Sequence, residues 1–289
     1  MSSELLPHTL EYWKQPIFVD LIEKPGTTSF EMIEALYNAC AADDFSQFKA
    51  IFDEWQTKDF RISELAPVFL LAIHRDNVGV VSTFLSQGQP ATSSHAVNTI
   101  AAKARRVAAL FQDNDWGINE ASDDTLTTAL AYAVTDEDMT RFLLARGADP
   151  NKQCVVDLTP LSWAAEKATL STIKLLFEHG ADVSKGQPLH HAARRKSTEE
   201  TNETLAFLLD KGAPLNASMY ENHPASLEIY ARVGTGPAIH QASLVGNLEA
   251  VRFLLGGGAN PDIQDLTGRR AVNWAREAGH LDLVTLLSG

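Results

Sequence analysis

A Leu-Leu pair followed by a Gly-Ala step recurs along the second half of this chain. The segments FLLARGADPN, LLFEHGADVS, FLLDKGAPLN and FLLGGGANPD end at Asn151, Ser184, Asn216 and Asp262. Each is preceded by an alanine-rich opener: TALAYAV, TPLSWAA, QPLHHAA or PAIHQAS. Self-similarity at a period of about 30 residues indicates a solenoid, in which each unit buries its apolar face against its neighbours.

Each recurring residue has a structural role in the repeat. In the opener TPLSWAA, Thr159 can cap a helix start through its hydroxyl, and Pro160 fits the first turn, where an N–H is not needed. Ala164 and Ala165 are small enough to let neighbouring helices approach closely. The Leu-Leu pair lies on the apolar face of a second helix, and Gly180 ends that helix in the left-handed conformation. The pattern therefore predicts two antiparallel helices per unit.

The alanine-rich openers and the Leu-Leu/Gly-Ala segments that follow them together resemble the ankyrin repeat. The resemblance implies an all-α ankyrin-repeat solenoid of paired antiparallel helices joined by short hairpin turns, with about seven to eight repeats in residues 30–289. We expect divergent repeats in residues 30–126 and clear ones in 127–289, with a long insertion at 217–236 and an N-terminal capping segment at 1–29. The glycines expected to end the second helices are Gly88, Gly117, Gly147, Gly180, Gly212 and Gly258.

Composition limits the classes of partner. The net charge of −13 disfavours binding to the backbone of DNA or RNA, so we expect no nucleic acid partner. No apolar stretch reaches the length of a membrane helix and no signal peptide opens the chain, which predicts no membrane insertion and a cytoplasmic location, with the nucleus as an alternative. Cys40 and Cys154 lie far apart and are expected to be reduced thiols.

Catalytic and metal-binding motifs are weak throughout. The histidines show no paired ligand spacing and neither cysteine lies in a Cys-x-x-Cys motif, so we expect no cofactor, no metal and no catalytic residue. His190 and His240 occupy the fourth place of their openers, where the resemblance implies a structural histidine that bonds to the backbone of the adjoining hairpin.

The resemblance also implies a binding surface, because ankyrin repeats usually meet partners with their hairpin tips and the exposed ends of their first helices, on the concave face. The two positions after each alanine pair belong to this surface, together with residues at the tips and His191. The candidates are His74, Arg75, Leu158, Glu166, Lys167, His191, Arg194, Arg195, Leu244, Val245 and Glu277. The alternative is that charged helix ends only keep the protein soluble.

The insertion departs from the repeat pattern. Its sequence, ASMYENHPASLEIYARVGTG, is thirteen residues longer than the preceding junction and is too apolar for a simple disordered linker. We expect a short helix from Pro224 that lies against the hairpin tips. Tyr220, His223 and Tyr230 are its candidate binding residues, and one of the tyrosines should face the groove beside Arg194 and Arg195.

The sequence thus predicts a non-catalytic protein–protein interaction module, an adaptor, scaffold or inhibitor, with a protein partner. The alternative is an enzyme or a small-molecule-binding protein that uses the groove near the insertion. A buried pocket at the insertion would favour this alternative, since ligand sites are concave and partly apolar.

Overall fold

The computed structural model describes residues 28–58, 61–121, 128–153, 156–195, 199–232 and 234–288. Over these ranges the regular structure is helical, apart from an isolated β-bridge between Ala121 and Thr128. The predicted all-α class is therefore confirmed. The chain divides into two compact units, Met1–Glu120 and Ala121–Gly289, called unit 1 and unit 2 below.

Unit 1 contains helix pairs built around phenylalanine. Its described helices are α1 (Thr28–Ala41), α2 (Phe45–Gln56), α3 (Ala66–His74), α4 (Val78–Ser86), α5 (Ser93–Ala101) and α6 (Arg105–Gln112), with a 3₁₀ turn at Ile62–Leu65. The partners α1/α2, α3/α4 and α5/α6 pack together, and so do the first helices of neighbouring pairs. The rings of Phe69 and Phe84 are buried with centroids 5.0 Å apart. Aromatic bulk thus fills the core where the recurring signature letters are missing.

Unit 2 contains the repeats with clear openers. Its described helices are α7 (Ala129–Ala133), α8 (Glu137–Ala145), α9 (Pro160–Lys167), α10 (Leu170–Glu178), α11 (Pro188–Ala193), α12 (Glu199–Asp210), α13 (Pro224–Tyr230), α14 (Ala238–Val245), α15 (Leu248–Gly256), α16 (Ala271–Glu277) and α17 (Leu281–Ser288). The first helices α9, α11, α14 and α16 pack side by side, in that order. The alanine pairs Ala164–Ala165 and Ala192–Ala193 are fully buried at these contacts, which is why small side chains recur there.

Helix ends follow the predicted chemistry. The Oγ1 of Thr159 accepts a hydrogen bond from the N–H of Ser162 at 3.2 Å, and Pro160 is the first residue of α9. Gly180 and Gly212 have φ angles of 87° and 93°, so both adopt the predicted left-handed conformation at a helix end. Glycine is favoured there because it has no Cβ to clash with the following carbonyl.

The predicted register is wrong at Gly117. The left-handed residue after α6 is Asp115, with a φ of 64°. The next N–H, that of Trp116, donates to the carbonyl of Phe111 at 3.0 Å, as the N–H of Ala148 after Gly147 donates to Leu143. Asp115 thus takes the place of the glycine, because aspartate tolerates the left-handed region better than most residues.

Asparagines join consecutive hairpins of unit 2. The Nδ2 of Asn151 donates to the carbonyl of Gly180 at 2.8 Å, and its Oδ1 accepts from the N–H of Asp182 at 2.7 Å. Asn216 repeats the second contact with the N–H of Asn260 at 2.8 Å. One asparagine side chain therefore forms hydrogen bonds with the backbone of the next hairpin and holds the two hairpins in register.

Two sequence expectations fall largely outside the described residues. Of the capping segment 1–29, the structure describes only the backbone start of α1 at Thr28. Cys154 lies outside the described ranges, whereas Cys40 is a buried free thiol. Burial raises the pKa of Cys40 to about 12, so this cysteine stays protonated and unreactive at neutral pH.

Candidate binding pocket

A cavity of about 370 Å³ lies in unit 2, where four first helices meet the insertion. We call it the insertion pocket. The helices and the tip before α9 contribute Leu158, Trp163, Glu166, Lys167, His191, Arg194, Gln241, Leu244 and Trp274. The insertion contributes Met219, Tyr220, Tyr230 and Gly234. The pocket thus combines an aromatic wall with a cluster of charged groups.

The register of the repeats builds one wall. Trp163, His191, Gln241 and Trp274 each stand immediately before the alanine position of their opener, on α9, α11, α14 and α16. With 3.6 residues per turn, this place lies about 100° around the helix from the buried alanine that follows it. Side-by-side packing of these helices therefore aligns the four side chains in a row, which we call the wall column.

The insertion builds the facing wall and is anchored at several points. Its ends meet where the N–H of Met219 donates to the carbonyl of Gly236 at 3.2 Å. Ser226 of α13 is fully buried, and its Oγ accepts from the N–H of Asp157 at 2.8 Å. The predicted short helix from Pro224 against a hairpin tip is therefore present.

Two tyrosines of the insertion face the pocket as one unit. The rings of Tyr220 and Tyr230 stack with centroids 5.0 Å apart and an interplanar angle of 19°. Tyr220 has a φ of 65°, a conformation that bulky residues rarely adopt. A strained backbone of this kind persists only where surrounding contacts hold it, and it is most common at functional sites.

His191 and Glu166 form a hydrogen-bonded pair in the pocket. The Nδ1 of His191 lies 3.1 Å from an Oε of Glu166, and the hydrogen bond from His191 holds the pKa of Glu166 below its ordinary value. An ionised carboxylate only accepts, so the proton of the bond belongs to Nδ1. His191 is only 7% exposed, and its Nε2 has no hydrogen-bond partner among the described residues. In the neutral imidazole this nitrogen is a free acceptor.

Two cations stand at the mouth of the pocket. The Nζ of Lys167 lies 4.2 Å from the ring centroid of Trp163, and Arg194 is exposed directly after α11. Both lower the pKa of Glu166 as nearby positive charges. Within the part of the chain that the structure describes, neither side chain forms a hydrogen bond or close ion pair.

The expectation that Arg195 is an exposed cation of this surface is wrong. Arg195 is only 7% exposed, and its Nη1 donates to the carbonyls of Ala165 and Ala168 at 3.0 and 2.9 Å. Its Nη2 pairs with Glu200 at 3.2 Å. The side chain turns inward because the carbonyls at the end of α9 need donors, so Arg195 ties α11 to α9.

Other candidate residues lie outside the pocket. The ring of His223 caps α13, where its Nδ1 accepts from the N–H of Ser226 at 3.2 Å. Glu277 pairs with the guanidinium of Arg269 at 3.0 Å. Val245 is exposed beside Leu244 but does not line the cavity. His74 and Arg75 belong to unit 1, at the end of α3.

Sequence reasoning missed Trp163, Gln241, Trp274 and Met219. The signal for the first three was their shared place before the alanine position, which varies between repeats while the residue that follows it stays alanine. Trp274 is held by its Nε1, which donates to Asp265 at 2.8 Å. The pocket also requires glycine at position 234, since a Cβ there would collide with Asp265 and lie 3.0 Å from the ring of Trp274.

A second cavity of about 290 Å³ lies beside the first. It is lined by Ala131, Tyr132, Val134, Thr135, Trp163 and Lys167, so Trp163 and Lys167 separate the two cavities and line both. Its wall is mostly apolar. The two cavities therefore lie next to each other along the wall column.

His190 and His240 have the structural role expected of them. The Nε2 of His190 lies 3.0 Å from the carbonyl of Ala217, and that of His240 lies 3.2 Å from the carbonyl of Arg269. Burial lowers the pKa of both rings, that of His190 to about 3. Both are therefore neutral at physiological pH and donate to a neighbouring hairpin.

Neither a metal-binding cluster nor a membrane span occurs in the described ranges. No group of three or more His, Cys, Asp or Glu side chains there could hold a metal ion. No described helix is both long enough and apolar enough to cross a membrane.

Comparison with known proteins identifies one of these repeats. The ankyrin repeat model matches residues 237–266, which span α14 and α15. This segment is an ankyrin repeat, and the chain is similar to proteins named as ankyrin repeat proteins. The ankyrin repeat assignment agrees with the helix pairs, the left-handed glycines and the structural histidines described above.

Curated relatives extend the ankyrin match along the chain. Ankyrin repeat protein nuc-2 of Neurospora crassa is 31% identical over 150 residues, which are 50% of this chain and 13% of that protein. The human ankyrin repeat and SOCS box protein 2 is 30% identical over 126 residues, 40% of this chain and 19% of the relative. A putative palmitoyltransferase ZDHHC13 of Danio rerio is 24% identical over 69% of this chain and 36% of its own length. The chain thus spans well under half of these relatives.

Proposed function

We propose that this protein is a non-catalytic interaction module that binds a protein partner along the wall column of unit 2. Ankyrin repeats are generally protein-interaction modules. The observation that supports this surface is the pair of adjoining cavities, which together cross several repeats and suit an extended partner better than a compact ligand. An adaptor, scaffold or inhibitor role follows from binding of this kind.

Exposed apolar side chains support the same surface. Leu244 is 43% exposed at the pocket, Val245 lies next to it, and Tyr132 is exposed at the second cavity. Neighbouring apolar groups of this kind often mark protein-binding sites on soluble proteins. A partner that covers them would gain free energy from the apolar area removed from water.

A small-molecule ligand or an enzymatic reaction is the second candidate. The cavity volume of about 370 Å³ and the unpartnered Nε2 of His191 favour it. The volume is at the lower end of the range for small-molecule sites, roughly 300–1,000 Å³. Among the described residues, the pocket lining includes no serine, threonine or cysteine that His191 could activate as a nucleophile. Protein binding is therefore the better supported function.

Affinity capture with a matched pair of variants tests the proposal. Leu244→Glu places a charge on the wall column, whereas Leu281→Glu places the same charge at the start of α17, where Leu281 is 73% exposed. Both proteins are used as bait in extracts of the source cells, with quantitative mass spectrometry and a thermal melt of each variant. We expect the wild type and Leu281→Glu to capture the same partner and Leu244→Glu to lose at least nine tenths of it. Equal capture by all three would reject the wall column as the site.

A further inference from the structure

We propose that the insertion pocket receives a tyrosine side chain from an acidic, extended segment of the partner, with the phenol O–H donating to His191. The proposal rests on the proposed protein-binding function and specifies the chemistry of the partner. Four features of the pocket support it, namely its unpartnered imidazole nitrogen, its aromatic walls, its cationic mouth and its position beside the second cavity.

The unpartnered Nε2 of His191 favours a ligand with a hydrogen-bond donor. When the Nδ1 proton of His191 bonds Glu166 and Nε2 carries no proton, Nε2 is an acceptor, and that nitrogen has no partner among the described residues. A buried acceptor without a hydrogen bond is unfavourable, so an incoming O–H group would restore a lost interaction. A tyrosine provides such a donor at the end of an apolar ring.

The aromatic walls of the pocket favour an aromatic side chain in the ligand. Trp163, Trp274 and the stacked pair Tyr220–Tyr230 line the pocket. Met219 also lines it, and its sulfur lies 3.6 Å from the Nε2 of Gln241. Aromatic rings pack favourably against one another in stacked or edge-to-face geometry, and thioethers also contact ring edges favourably. An aromatic side chain therefore suits the surface of the cavity.

The positive charges at the mouth of the pocket favour acidic residues beside the bound tyrosine. Lys167 and Arg194 stand at the rim, and the carboxylate between them is already bonded by His191. Acidic residues beside the tyrosine can pair with these two cations, although the whole chain carries a net charge of −13. At physiological salt, charges farther than about 8 Å are largely screened, so the local cations outweigh the distant acids.

The second cavity indicates an extended chain. It continues the row past Trp163 and Lys167 with a mostly apolar lining that includes Tyr132 and Val134. A peptide that fills the first cavity with tyrosine can place an aliphatic side chain in the second. A free aromatic molecule would leave that cavity empty, which gives the experiment its comparison.

The probe is a fluorescein-labelled dodecapeptide with one central tyrosine among glutamate and leucine residues, titrated into the full chain and followed by anisotropy. We expect saturable binding that weakens about tenfold when the tyrosine is replaced by phenylalanine. It should weaken at least tenfold when the glutamates are replaced by lysines, and it should weaken as salt is raised. His191→Phe keeps a ring but removes the acceptor, so the difference between the tyrosine and phenylalanine peptides should disappear.

Charge reversal supplies the protein-side control. Lys167→Glu with Arg194→Glu should weaken peptide binding at least tenfold, whereas Lys174→Glu on the exposed side of α10 should leave it unchanged. Binding that is indifferent to tyrosine, or that tightens with salt, would overturn the proposal. N-acetyltyrosine amide binding as tightly as the peptide would overturn the extended segment and favour a small-molecule site.

The two proposals fail in different ways. If no acidic peptide binds but Leu244→Glu still abolishes capture of the cellular partner, the chemistry of the occupant is wrong and the protein-binding surface stands. If Leu244→Glu leaves capture intact, the surface itself is wrong, whatever the peptide does.

Discussion

Tyr220 stacks on Tyr230 with 5.0 Å between ring centroids, and this contact holds a left-handed tyrosine against the mouth of the insertion pocket. Stacking at this distance contributes about 0.5–1.5 kcal/mol beyond burial of the rings. It helps to offset the strain of the φ angle of 65° at Tyr220. The insertion is therefore an ordered wall of the pocket.

Trimming the insertion should separate binding from folding. The N–H of Met219 and the carbonyl of Gly236 already meet, so residues 220–235 can be replaced by Asn-Gly without stretching the chain. The main loss to the repeats is the bond from Asp157 to Ser226, about 1 kcal/mol, or about 2–4 °C in thermal midpoint. We expect a folded protein by circular dichroism that has lost its partner or peptide. Unchanged affinity would show that the insertion is not part of the site.

Neighbouring arginines should differ sharply in their effect on stability. Arg195→Ala leaves the carbonyls of Ala165 and Ala168 without their donor and should cost about 2–4 kcal/mol. Arg194→Ala removes an exposed cation and should change the free energy of unfolding by less than about 0.5 kcal/mol. Urea unfolding of both variants measures the difference. Similar values for the two would contradict the buried placement of Arg195.

Two glycines on helix ends offer a test of the left-handed register. A Cβ added at Gly180 or at Gly256 meets no atom within 4 Å, so only backbone conformation distinguishes the two sites. Gly180 has a φ of 87°, and Gly180→Ala should destabilise the fold by about 1–2 kcal/mol. Gly256 is helical, and Gly256→Ala should stabilise it by about 0.5–1 kcal/mol. Changes of the same sign in chemical denaturation would show that the register is wrong.

Acid should destabilise the protein through His190. Its pKa is lowered by burial from 6.5 to about 3, so between these values the unfolded chain binds a proton that the folded protein does not. The free energy of unfolding from this group is therefore fully present above pH 6.5 and falls with decreasing pH, by up to about 1.4 kcal/mol per unit, until about pH 3.

The matched variant is His190→Gln, whose amide can still donate to Ala217 but does not titrate. Urea unfolding of both proteins at pH 7.5, 6, 5 and 4 isolates the contribution of His190 from that of other groups. We expect a shallower slope for the variant. Parallel slopes would mean that His190 is not held neutral by the fold.

Much of the fold was predictable because it depends on local pattern. A motif confined to one repeat predicts the threonine cap at Thr159, the left-handed Gly180 and the buried alanine pairs. Each could be assigned from the amino-acid sequence alone. The exception at Gly117 shows the limit of this approach. Asp115 adopts the left-handed conformation in place of a glycine, so the position of Gly117 did not mark the helix end.

The pocket was predictable only in part. The sequence located Glu166, Lys167, His191, Arg194 and the two tyrosines, since helix ends and an apolar insertion can be identified from register and composition. It could not distinguish the exposed Arg194 from the buried Arg195, which stand side by side at the same helix end. Their difference depends on which way each side chain leaves the last turn and on the carbonyls of the preceding repeat.

The sequence by itself therefore determined the repeat, its helix pairs and the side of each helix that packs inward, because these follow from periodicity within about 30 residues. Only the tertiary structure decided that Trp163, Gln241 and Trp274 align in one column and that Tyr220 stacks on Tyr230 to close a cavity over them. Those contacts join residues far apart in the chain, and their geometry depends on how the packed repeats and the anchored insertion fit together.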